Sequence, residues 1–530
     1  MSKDWHSLSL KEQIAQMIVV RASGYLFDHQ IRYPAWEASN AQLQQWLQEL
    51  NLGGVILLGG SSIELQKRCG QLQSWANIPL LIAADIEEGI GQRFPGGTWF
   101  PPPMALGAIY QQDSQLALKY AAKMGRITAQ EAIAIGINWI LAPVVDVNNN
   151  PDNPVINIRA FGESPQVVSA LSGAFIQGAK SYPVLTTAKH FPGHGDTATD
   201  SHLELPSLPH DDARLARIEL PPFQKAIASG VDSVMTAHLS IPAWDRDKPA
   251  TISTEIVRGK LRQELGFSGL VVTDALIMGG ITQYASPEEI AVMAVEAGSD
   301  ILLMPDDPEV AIRSIYDAVK SGCINREQIE QSWERIWQAK QKVLDESNTI
   351  PEISAPQSRL TVKSILQDSL QTANLPLISA NKSESRNLII VDDILNAGYL
   401  DINTPAIAIP QQLGYQRQIV DSSTLDCILL DSRPTLLQIF IRGNPFRGNA
   451  GLNSNTRQIY QQLATKNQIE GIVIYGSPYV LSWFEDFIDN KLPLVFSYGQ
   501  MEQAQAIALK ALYNLDSEAF KSNFQQNFGF

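Results

Sequence analysis

The amino-acid sequence predicts a (β/α)8 TIM-like barrel followed by a smaller α/β three-layer sandwich domain. Eight short apolar runs recur along residues 1–347, and a segment with helical spacing separates each run from the next. The runs are rich in β-branched residues and lack polar alternation, which is typical of parallel strands buried on both faces. A change of composition near residue 348 marks the start of the second domain.

The predicted barrel strands are Met17–Val20, Val55–Leu58, Leu80–Ala84, Trp139–Leu141, Val184–Ala188, Ser233–Ala237, Leu270–Thr273 and Ile301–Met304. The predicted helices between and after them are Ile63–Ala76, Ser114–Gly136, Pro165–Lys180, Leu215–Ser229, Glu255–Leu265, Pro287–Gly298 and Pro308–Ser321. A doubly wound open sheet would give a similar alternation, so the pattern alone leaves both architectures open.

Residues 348–360 contain several helix breakers and little apolar periodicity, which predicts a linker. Residues 361–530 form the predicted second domain. Its apolar runs are Leu388–Val391, Ala406–Ile409, Cys427–Leu430, Leu437–Ile441, Gly471–Tyr475 and Leu494–Ser497, with helical stretches at Ser454–Lys466 and Met501–Tyr513.

The composition narrows the range of partners and locations. The chain has 530 residues with 40 Lys and Arg against 55 Asp and Glu, a net charge of −15, which disfavours nucleic acid and anionic membranes. Three distant cysteines indicate neither a disulfide framework nor a Cys zinc site. No signal peptide or transmembrane run is visible, so we expect a cytoplasmic protein, and the sequence leaves its oligomeric state open.

Ionisable side chains follow four of the predicted barrel strands. Asp85 follows the third strand, Lys189 and His190 the fifth, His238 the sixth and Asp274 the seventh. Barrel enzymes carry their chemistry at the carboxyl ends of the strands, where these side chains would meet. The pattern therefore predicts an active site at the mouth of the barrel.

The segment Lys189–His202, KHFPGHGDTATDSH, holds three of the seven histidines of the chain, and its proline and glycines predict a loop over that mouth. Three chemistries could use the histidines of this loop. A metal site would draw on His190, His194, His202, Asp196 and Asp200, although the spacing lacks a helical HExxH. A Ser-His-Asp hydrolase would need a G-x-S-x-G elbow, which is absent from the sequence. A His–Asp dyad would pair Asp200 with His202 for acid–base work.

These motifs resemble the glycoside hydrolase family 3 enzymes, in particular their β-N-acetylglucosaminidase branch. The K-H-F-P-G-H-G loop and the following D-S-H are matched by Lys189–Gly195 and Asp200–His202. Ala84–Phe94, Asn153–Glu163 and Val272–Met278 are similar to three further motifs of the family. Glu88 departs from the family, standing where the first glycine of a pair is usual.

The resemblance implies a retaining glycosidase without cofactor or metal. Asp274 would be the nucleophile, and His202, oriented by Asp200, would be the general acid and then the base. The residues that would bind the N-acetylglucosamine ring are Asp85, Arg93, Arg159, Lys189 and His190. The expected activity is hydrolysis of terminal non-reducing N-acetylglucosamine from peptidoglycan fragments or chito-oligosaccharides.

Three alternatives remain open at this point. A β-glucosidase of the same family would usually take its acid from a glutamate of the second domain. A metal-dependent barrel hydrolase would use the histidine loop as ligands. A sugar-binding protein with a dead site would have no use for intact Asp274, Asp200 and His202. Whether water or phosphate accepts the sugar is also open.

Overall fold

The computed structural model describes residues 8–344, 352–377, 384–394, 397–421, 424–425, 432–443, 452, 454–465, 468–486 and 491–515. Two of the sequence predictions concern the other residues. The apolar run Cys427–Leu430 and most of the predicted linker's first half lie outside the described residues.

The first domain is a barrel of eight parallel strands, as predicted. The strands are β1 (Ile18–Ser23), β2 (Gly54–Leu58), β3 (Leu81–Ala84), β4 (Trp139–Ile140), β5 (Leu185–Phe191), β6 (Ser233–Thr236), β7 (Leu270–Thr273) and β8 (Leu302–Leu303). From β1 to β7 each strand pairs with the next one, and β1 also pairs with β8. A parallel bridge between Val272 and Ile301 joins the two remaining edges. The ring excludes the open doubly wound sheet.

Helices surround the barrel. Their bounds are Leu10–Gln16, Asn40–Gln45, Trp46–Leu50, Ser62–Trp75, Met104–Gln112, Ser114–Ala134, Pro165–Ala179, Asp212–Ile218, Leu220–Ala228, Glu255–Glu264, Gly279–Thr282, Pro287–Ala297, Pro308–Ser321 and Arg326–Val343. Single helical turns occur at Asp28–Gln30, Ile90–Gln92, Asn157–Arg159 and Ala250–Ile252. The predicted helix Leu215–Ser229 is in fact two helices. Pro221 and Pro222 lack the N–H groups that would continue the first helix, and they stand in the first turn of the second one.

Short-range signals determine several helix ends. Ser9, Ser61 and Ser286 each precede a helix with a capping box. The serine hydroxyl accepts a hydrogen bond from the backbone N–H three residues on, and the glutamate at that position accepts one from the backbone N–H of the serine. Gly298 and Gly322 end two helices in the left-handed conformation, which glycine adopts without steric cost. The ends at Ser61, Ser286, Gly298 and Gly322 lie within two residues of the predicted bounds, whereas the helix that begins after Ser9 was not predicted.

The second domain is a six-stranded sheet between two layers of helices. Its strands are β9 (Gln371–Ala373), β10 (Arg386–Val391), β11 (Gln416–Val420), β12 (Thr435–Ile441), β13 (Ile469–Gly476) and β14 (Leu494–Ser497). Their order is β11-β10-β12-β13-β14-β9, with β9 antiparallel to β14 and the other pairs parallel. The helices are Pro356–Asp368, Pro405–Gln412, Ser454–Thr465, Pro478–Glu485 and Glu502–Tyr513.

Alternate residues of β10 divide the core of this domain. Leu388 and Ile390 belong to an apolar cluster that is continuous with the barrel core, whereas Ile389 and Val391 belong to a separate cluster on the other face. The apolar run Ala406–Ile409 lies in the helix Pro405–Gln412, where most of its side chains are buried. The helix Pro356–Asp368 occupies the last positions of the predicted linker, while the domain boundaries themselves stay predictions.

The second domain contacts the loops at the carboxyl ends of the barrel strands. Tyr479 accepts a hydrogen bond from Asn148 Nδ2 at 2.7 Å and donates to Glu163 Oε1 at 2.7 Å. Ser477 donates to Asn157 Oδ1 at 3.1 Å. The second domain therefore lies over the mouth of the barrel. Within the described residues, no helix is long and apolar enough to cross a membrane.

Candidate active site

A cavity of about 720 Å³ opens at the carboxyl ends of the barrel strands. Seven of the eight predicted site residues line it: Asp85, Arg93, Arg159, Lys189, His190, His202 and Asp274. The eighth, Asp200, lies directly behind His202. Second-domain residues complete the wall, namely Asp392, Asp393, Tyr399, Arg442, Gly443 and Gln500. The structure thus brings the predicted residues together in one cavity between the domains.

Asp274 follows β7 and reaches the cavity from its floor. Its backbone N–H donates to Thr236 of β6 at 3.0 Å, which fixes its position, and its Oδ1 accepts from the N–H of Ala275 at 2.8 Å. Burial alone would raise the pKa of this carboxyl, but the nearby His190, His238 and His202 outweigh it and hold the pKa below its usual value. Asp274 is therefore ionised at neutral pH, as a nucleophile must be.

His202 and Asp200 form the predicted dyad. Asp200 Oδ1 accepts from the backbone N–H of His202 and lies 2.9 Å from its ring Nδ1. The Asp200 side chain is 1% exposed and that of His202 is 21% exposed, so the carboxylate lies beneath the ring and the imidazole faces the cavity. This geometry fixes the ring plane and directs Nε2 away from the carboxylate.

The dyad segment rests directly on the loop that follows Asp274. Gly279 N–H donates to the His202 carbonyl at 3.1 Å, and Gly280 N–H donates to the Ser201 carbonyl at 3.0 Å. A Cβ added at Gly280 would lie 2.7 Å from the Ser201 carbonyl oxygen, closer than carbon and oxygen normally approach. The two glycines allow the backbones to approach this closely. The segment that follows Asp274 and the segment that carries His202 are therefore held against each other.

A charged cluster lines the other side of the cavity. Lys189 Nζ lies 2.7 Å from Asp85 Oδ1 and 2.7 Å from Glu87 Oε1. Arg159 binds both oxygens of Glu87, at 2.7 Å and 2.9 Å. Burial disfavours the charged forms of Lys189, Arg159 and Glu87, but the opposite charges around them outweigh it. The pKa values of Lys189 and Arg159 are therefore raised, and that of Glu87 is held well below its usual value. Arg93 Nε donates to the Asp85 carbonyl at 3.2 Å.

Asp146 is a buried residue of the site that was not predicted from the sequence. Its Oδ2 lies 2.8 Å from His190 Nδ1, and its Oδ1 accepts from the backbone N–H of His194 at 2.7 Å. Asp146 thereby orients His190 and holds the start of the histidine loop. Its signal was its place in the segment after β4, although it stands six residues beyond Ile140, whereas Asp85 and Asp274 directly follow their strands. Glu87 was also missed, although it lies within the motif Ala84–Phe94.

The other two histidines near the site have structural partners. His194 Nδ1 lies 2.7 Å from Thr197 Oγ1 and its Nε2 lies 2.9 Å from Ser201 Oγ, inside the loop. Burial lowers the pKa of His194 to about 4 and also lowers that of His238, so both rings are neutral at neutral pH. His194 braces the loop that carries the dyad.

The residues considered for a metal site each bind other partners. His190 faces Asp146, His202 faces Asp200, and Asp196 lies 2.7 Å from His210 Nε2 and 3.0 Å from Arg214 Nη2. Across the described residues, no group of three or more His, Cys, Asp or Glu side chains is arranged to hold a metal ion.

Glu88 connects the barrel to the second domain. Its side chain is fully buried, and Arg442 Nη2 lies 2.5 Å from its Oε1. Trp99 Nε1 donates to the other carboxylate oxygen at 2.9 Å. Arg442 begins the glycine-rich segment Arg442–Gly451, most of which lies outside the described residues. The departure from the family pattern at Glu88 is thus matched by a cation from the other domain.

An ionised carboxylate, a separate acid–base pair and a polar clamp around one cavity are the arrangement of a glycoside hydrolase. Comparison with known families agrees with that class. The chain belongs to glycosyl hydrolase family 3: residues 9–339 match the model of the family's N-terminal domain, and residues 378–514 match that of its bacterial C-terminal domain.

Two curated relatives carry β-hexosaminidase names. The chain is 36% identical to β-hexosaminidase A of Pseudoalteromonas piscicida over 58% of this chain and 56% of that relative, so it spans just over half of that protein's length. It is 35% identical to a β-hexosaminidase of Nitrosomonas eutropha over 49% of this chain and 75% of the relative.

A solved structure resembles both domains together. The glycoside hydrolase family 3 β-N-acetylglucosaminidase of Paenibacillus sp. str. FPU-7 is 28% identical, with a TM-score of 0.79. The match covers 96% of this chain and 97% of that chain. The two-domain architecture is therefore shared over nearly the whole length.

Proposed function

We propose that this protein is a retaining β-N-acetylglucosaminidase that removes terminal non-reducing N-acetylglucosamine from peptidoglycan fragments or chito-oligosaccharides. The observation that carries the proposal is that Asp274, the His202–Asp200 dyad and the Lys189–Asp85 cluster surround one cavity. The names of the β-hexosaminidase relatives and of the Paenibacillus enzyme support the choice of sugar.

In the first step, an Asp274 carboxylate oxygen attacks the anomeric carbon of the bound sugar. The bond from that carbon to the leaving-group oxygen breaks, and its electron pair stays on the oxygen. His202 Nε2 donates a proton to this oxygen as it departs, so the aglycone leaves as a neutral alcohol. The products are the free aglycone and a glycosyl ester on Asp274.

In the second step, the neutral His202 takes a proton from water while the water oxygen attacks the anomeric carbon. The ester bond breaks and Asp274 returns to its ionised form. Two inversions give net retention of configuration. The Asp200 carboxylate faces Nδ1 in both steps, which stabilises the imidazolium before the first transfer and after the second.

The charged cluster opposite the dyad suits a sugar's hydroxyl groups. Asp85 offers carboxylate acceptors, whereas Arg93, Arg159, Lys189 and His190 offer donors. The contacts of Lys189 and Arg159 with Glu87 fix these donors before substrate enters. Such a prearranged polar surface binds a ring that has little apolar area.

The proposal is tested by the activity of Asp274→Asn. We expect the wild type to hydrolyse 4-nitrophenyl N-acetyl-β-glucosaminide with retention of configuration, and Asp274→Asn to lose about 10⁴-fold or more in kcat, because an amide is a poor nucleophile. Asp317→Asn changes an exposed carboxylate of the helix Pro308–Ser321 and serves as the matched control. Near wild-type turnover by Asp274→Asn, or product of inverted configuration, would remove Asp274 from this role.

The same assay discriminates the β-glucosidase alternative. Two second-domain carboxylates, Asp392 and Asp393, line the cavity, as a glucosidase acid from that domain would. Faster turnover of 4-nitrophenyl β-glucoside than of the N-acetylglucosaminide, in parallel assays of the wild type, would favour that reading.

A further inference from the structure

The segment after β1 presents large aromatic side chains to solvent. Tyr33 and Trp36 are each 44% exposed, and their rings stack with centroids 5.9 Å apart and planes inclined by 20°. Tyr and Trp are common at binding surfaces because their rings combine a large apolar face with a polar group that can hydrogen-bond.

The pair is held in a fixed orientation from below. The Arg21 guanidinium of β1 lies 4.7 Å from the Tyr33 ring centroid and 5.5 Å from that of Trp36. Arg21 Nε also donates to Glu37 Oε1 at 3.0 Å, and Glu37 is buried. A cation that contacts both rings and is itself anchored by a buried carboxylate restricts how the rings can turn.

The position of the pair relates it to the reaction. Trp36 and Arg21 both line the cavity that holds Asp85 and Asp274. Phe27, a still more exposed aromatic residue of the same segment at 61%, is not part of that lining. The indole therefore lines the cavity from the segment after β1, whereas the charged cluster that suits the terminal sugar is carried by β5 and by the segments after β3 and β4.

We propose that Trp36, backed by Tyr33 and Arg21, binds the sugar ring on the leaving-group side of the scissile bond. The inference rests on the proposed function, because it assigns the second ring of that substrate. The ligand class is a β-linked pyranose such as N-acetylglucosamine. One face of such a ring carries only C–H groups, which pack on an indole face, while its hydroxyls point outward to water and polar groups.

The inference predicts a dependence on the leaving group. N,N′-diacetylchitobiose places a sugar ring against Trp36, whereas N-acetyl-β-glucosaminyl fluoride leaves that position empty. The quantity to measure is kcat/KM for the disaccharide divided by kcat/KM for the fluoride. We expect Trp36→Ala and Trp36→Leu to lower this ratio about three- to ten-fold, the size of one lost aromatic contact. Trp36→Phe should retain most of it.

Two controls separate stacking from general damage. Phe27→Ala removes an exposed aromatic side chain of the same segment outside the cavity and should leave the ratio unchanged. Turnover of the fluoride reports, within each variant, that the protein is folded and that the terminal-sugar site is intact. In the Asp274→Asn background, Trp36→Ala should also weaken binding of the disaccharide, measured by calorimetry, with binding of N-acetylglucosamine unchanged.

The outcomes for the two proposals are distinct. If the wild type cleaves both substrates but Trp36→Ala leaves their ratio unchanged, the assignment of Trp36 is overturned while the proposed function stands. If the wild type cleaves neither substrate, both proposals fall. A lower ratio in Trp36→Ala and Trp36→Leu, with Phe27→Ala unaffected, supports the assignment.

Discussion

The absence of a side chain at Gly280 is expected to determine the position of His202 relative to Asp274, and Gly280→Ala tests this. The added Cβ would lie 2.7 Å from the Ser201 carbonyl oxygen, about 0.6 Å inside an ordinary carbon–oxygen contact of roughly 3.3 Å. A second carbonyl, that of Glu204, would lie 3.0 Å away. Because both obstacles belong to the segment carrying His202, the dyad must move relative to Asp274.

The expected loss follows from the size of this movement. A displacement of about 1 Å of a catalytic group costs on the order of 10²-fold, so a shift of roughly half that size predicts about a ten-fold loss. The loss should fall on substrates whose leaving group needs a proton, such as diacetylchitobiose. Turnover of a dinitrophenyl glycoside, whose leaving group departs unprotonated, should change little.

The assay compares kcat for these two substrates in Gly280→Ala and in a matched control. Gly70→Ala also adds one methyl group to a glycine, but no atom lies within 4 Å of the new Cβ on the exposed side of the helix Ser62–Trp75. The control should retain both rates. An equal loss on both substrates in Gly280→Ala, or no loss on the disaccharide, would refute the positioning role of this contact.

Three further predictions concern other parts of the molecule. Arg442→Ala removes the cation that faces the buried Glu88 carboxylate and should lower the unfolding free energy by about 3 kcal/mol. The double variant with Glu88→Gly should recover much of this loss. Strictly additive losses from the two substitutions would contradict an interaction between Arg442 and Glu88. Burial lowers the pKa of Lys340, which donates to Gln16, from 10.5 to about 7. Between these two pH values unfolding takes up a proton, so the unfolding free energy of the wild type should rise relative to that of Lys340→Met by up to about 1.4 kcal/mol per pH unit from pH 7 to pH 9. Parallel pH profiles of the two proteins would exclude this. Asp85→Ala should lower kcat as well as raise KM, since hydroxyl contacts tighten in the transition state, and a complex with N-acetylglucosamine that leaves Asp85 remote from the ring would refute its assignment.

The barrel was predictable because its strands are buried on both faces. The strand Leu270–Thr273 is buried at every position and is apolar except for its last residue, so it stands out in the sequence. The edge strands β9 and β11 of the second domain were missed for the opposite reason. Gln371–Ala373 is exposed throughout, and β11 is exposed or half-buried up to its last residue, Val420, so neither strand carries an apolar run.

The candidate site divides along similar lines. Asp85, Lys189 and Asp274 were found because each comes at or near the end of a recognisable strand. Glu88 was noted only as a departure, because its partner Arg442 is far away in the chain and belongs to another domain. Pairings of this kind depend on how two domains meet, which no local pattern encodes.

The docking of the dyad on Gly279 and Gly280 was equally invisible in the sequence. The glycines of the histidine segment predicted a loop there, but the close approach of the two backbones arises from tertiary packing. The sequence also offered no means to rank Trp36 above Phe27, since only the folded chain shows which of the two lines the cavity.

The central claim is that His202, oriented by Asp200, is the general acid opposite the nucleophile Asp274. Its most direct test is the logarithm of kcat/KM plotted against leaving-group pKa for aryl N-acetyl-β-glucosaminides, measured for the wild type and for His202→Ala. We predict a shallow slope for the wild type and a distinctly steeper one for His202→Ala, because without a proton donor the rate depends on how well the departing oxygen bears charge. Asp200→Ala should give an intermediate slope. Equal slopes for the wild type and His202→Ala would contradict the assignment of His202 as the general acid. Another group would then donate the proton, and Asp392 and Asp393 of the cavity wall would be the next carboxylates to replace.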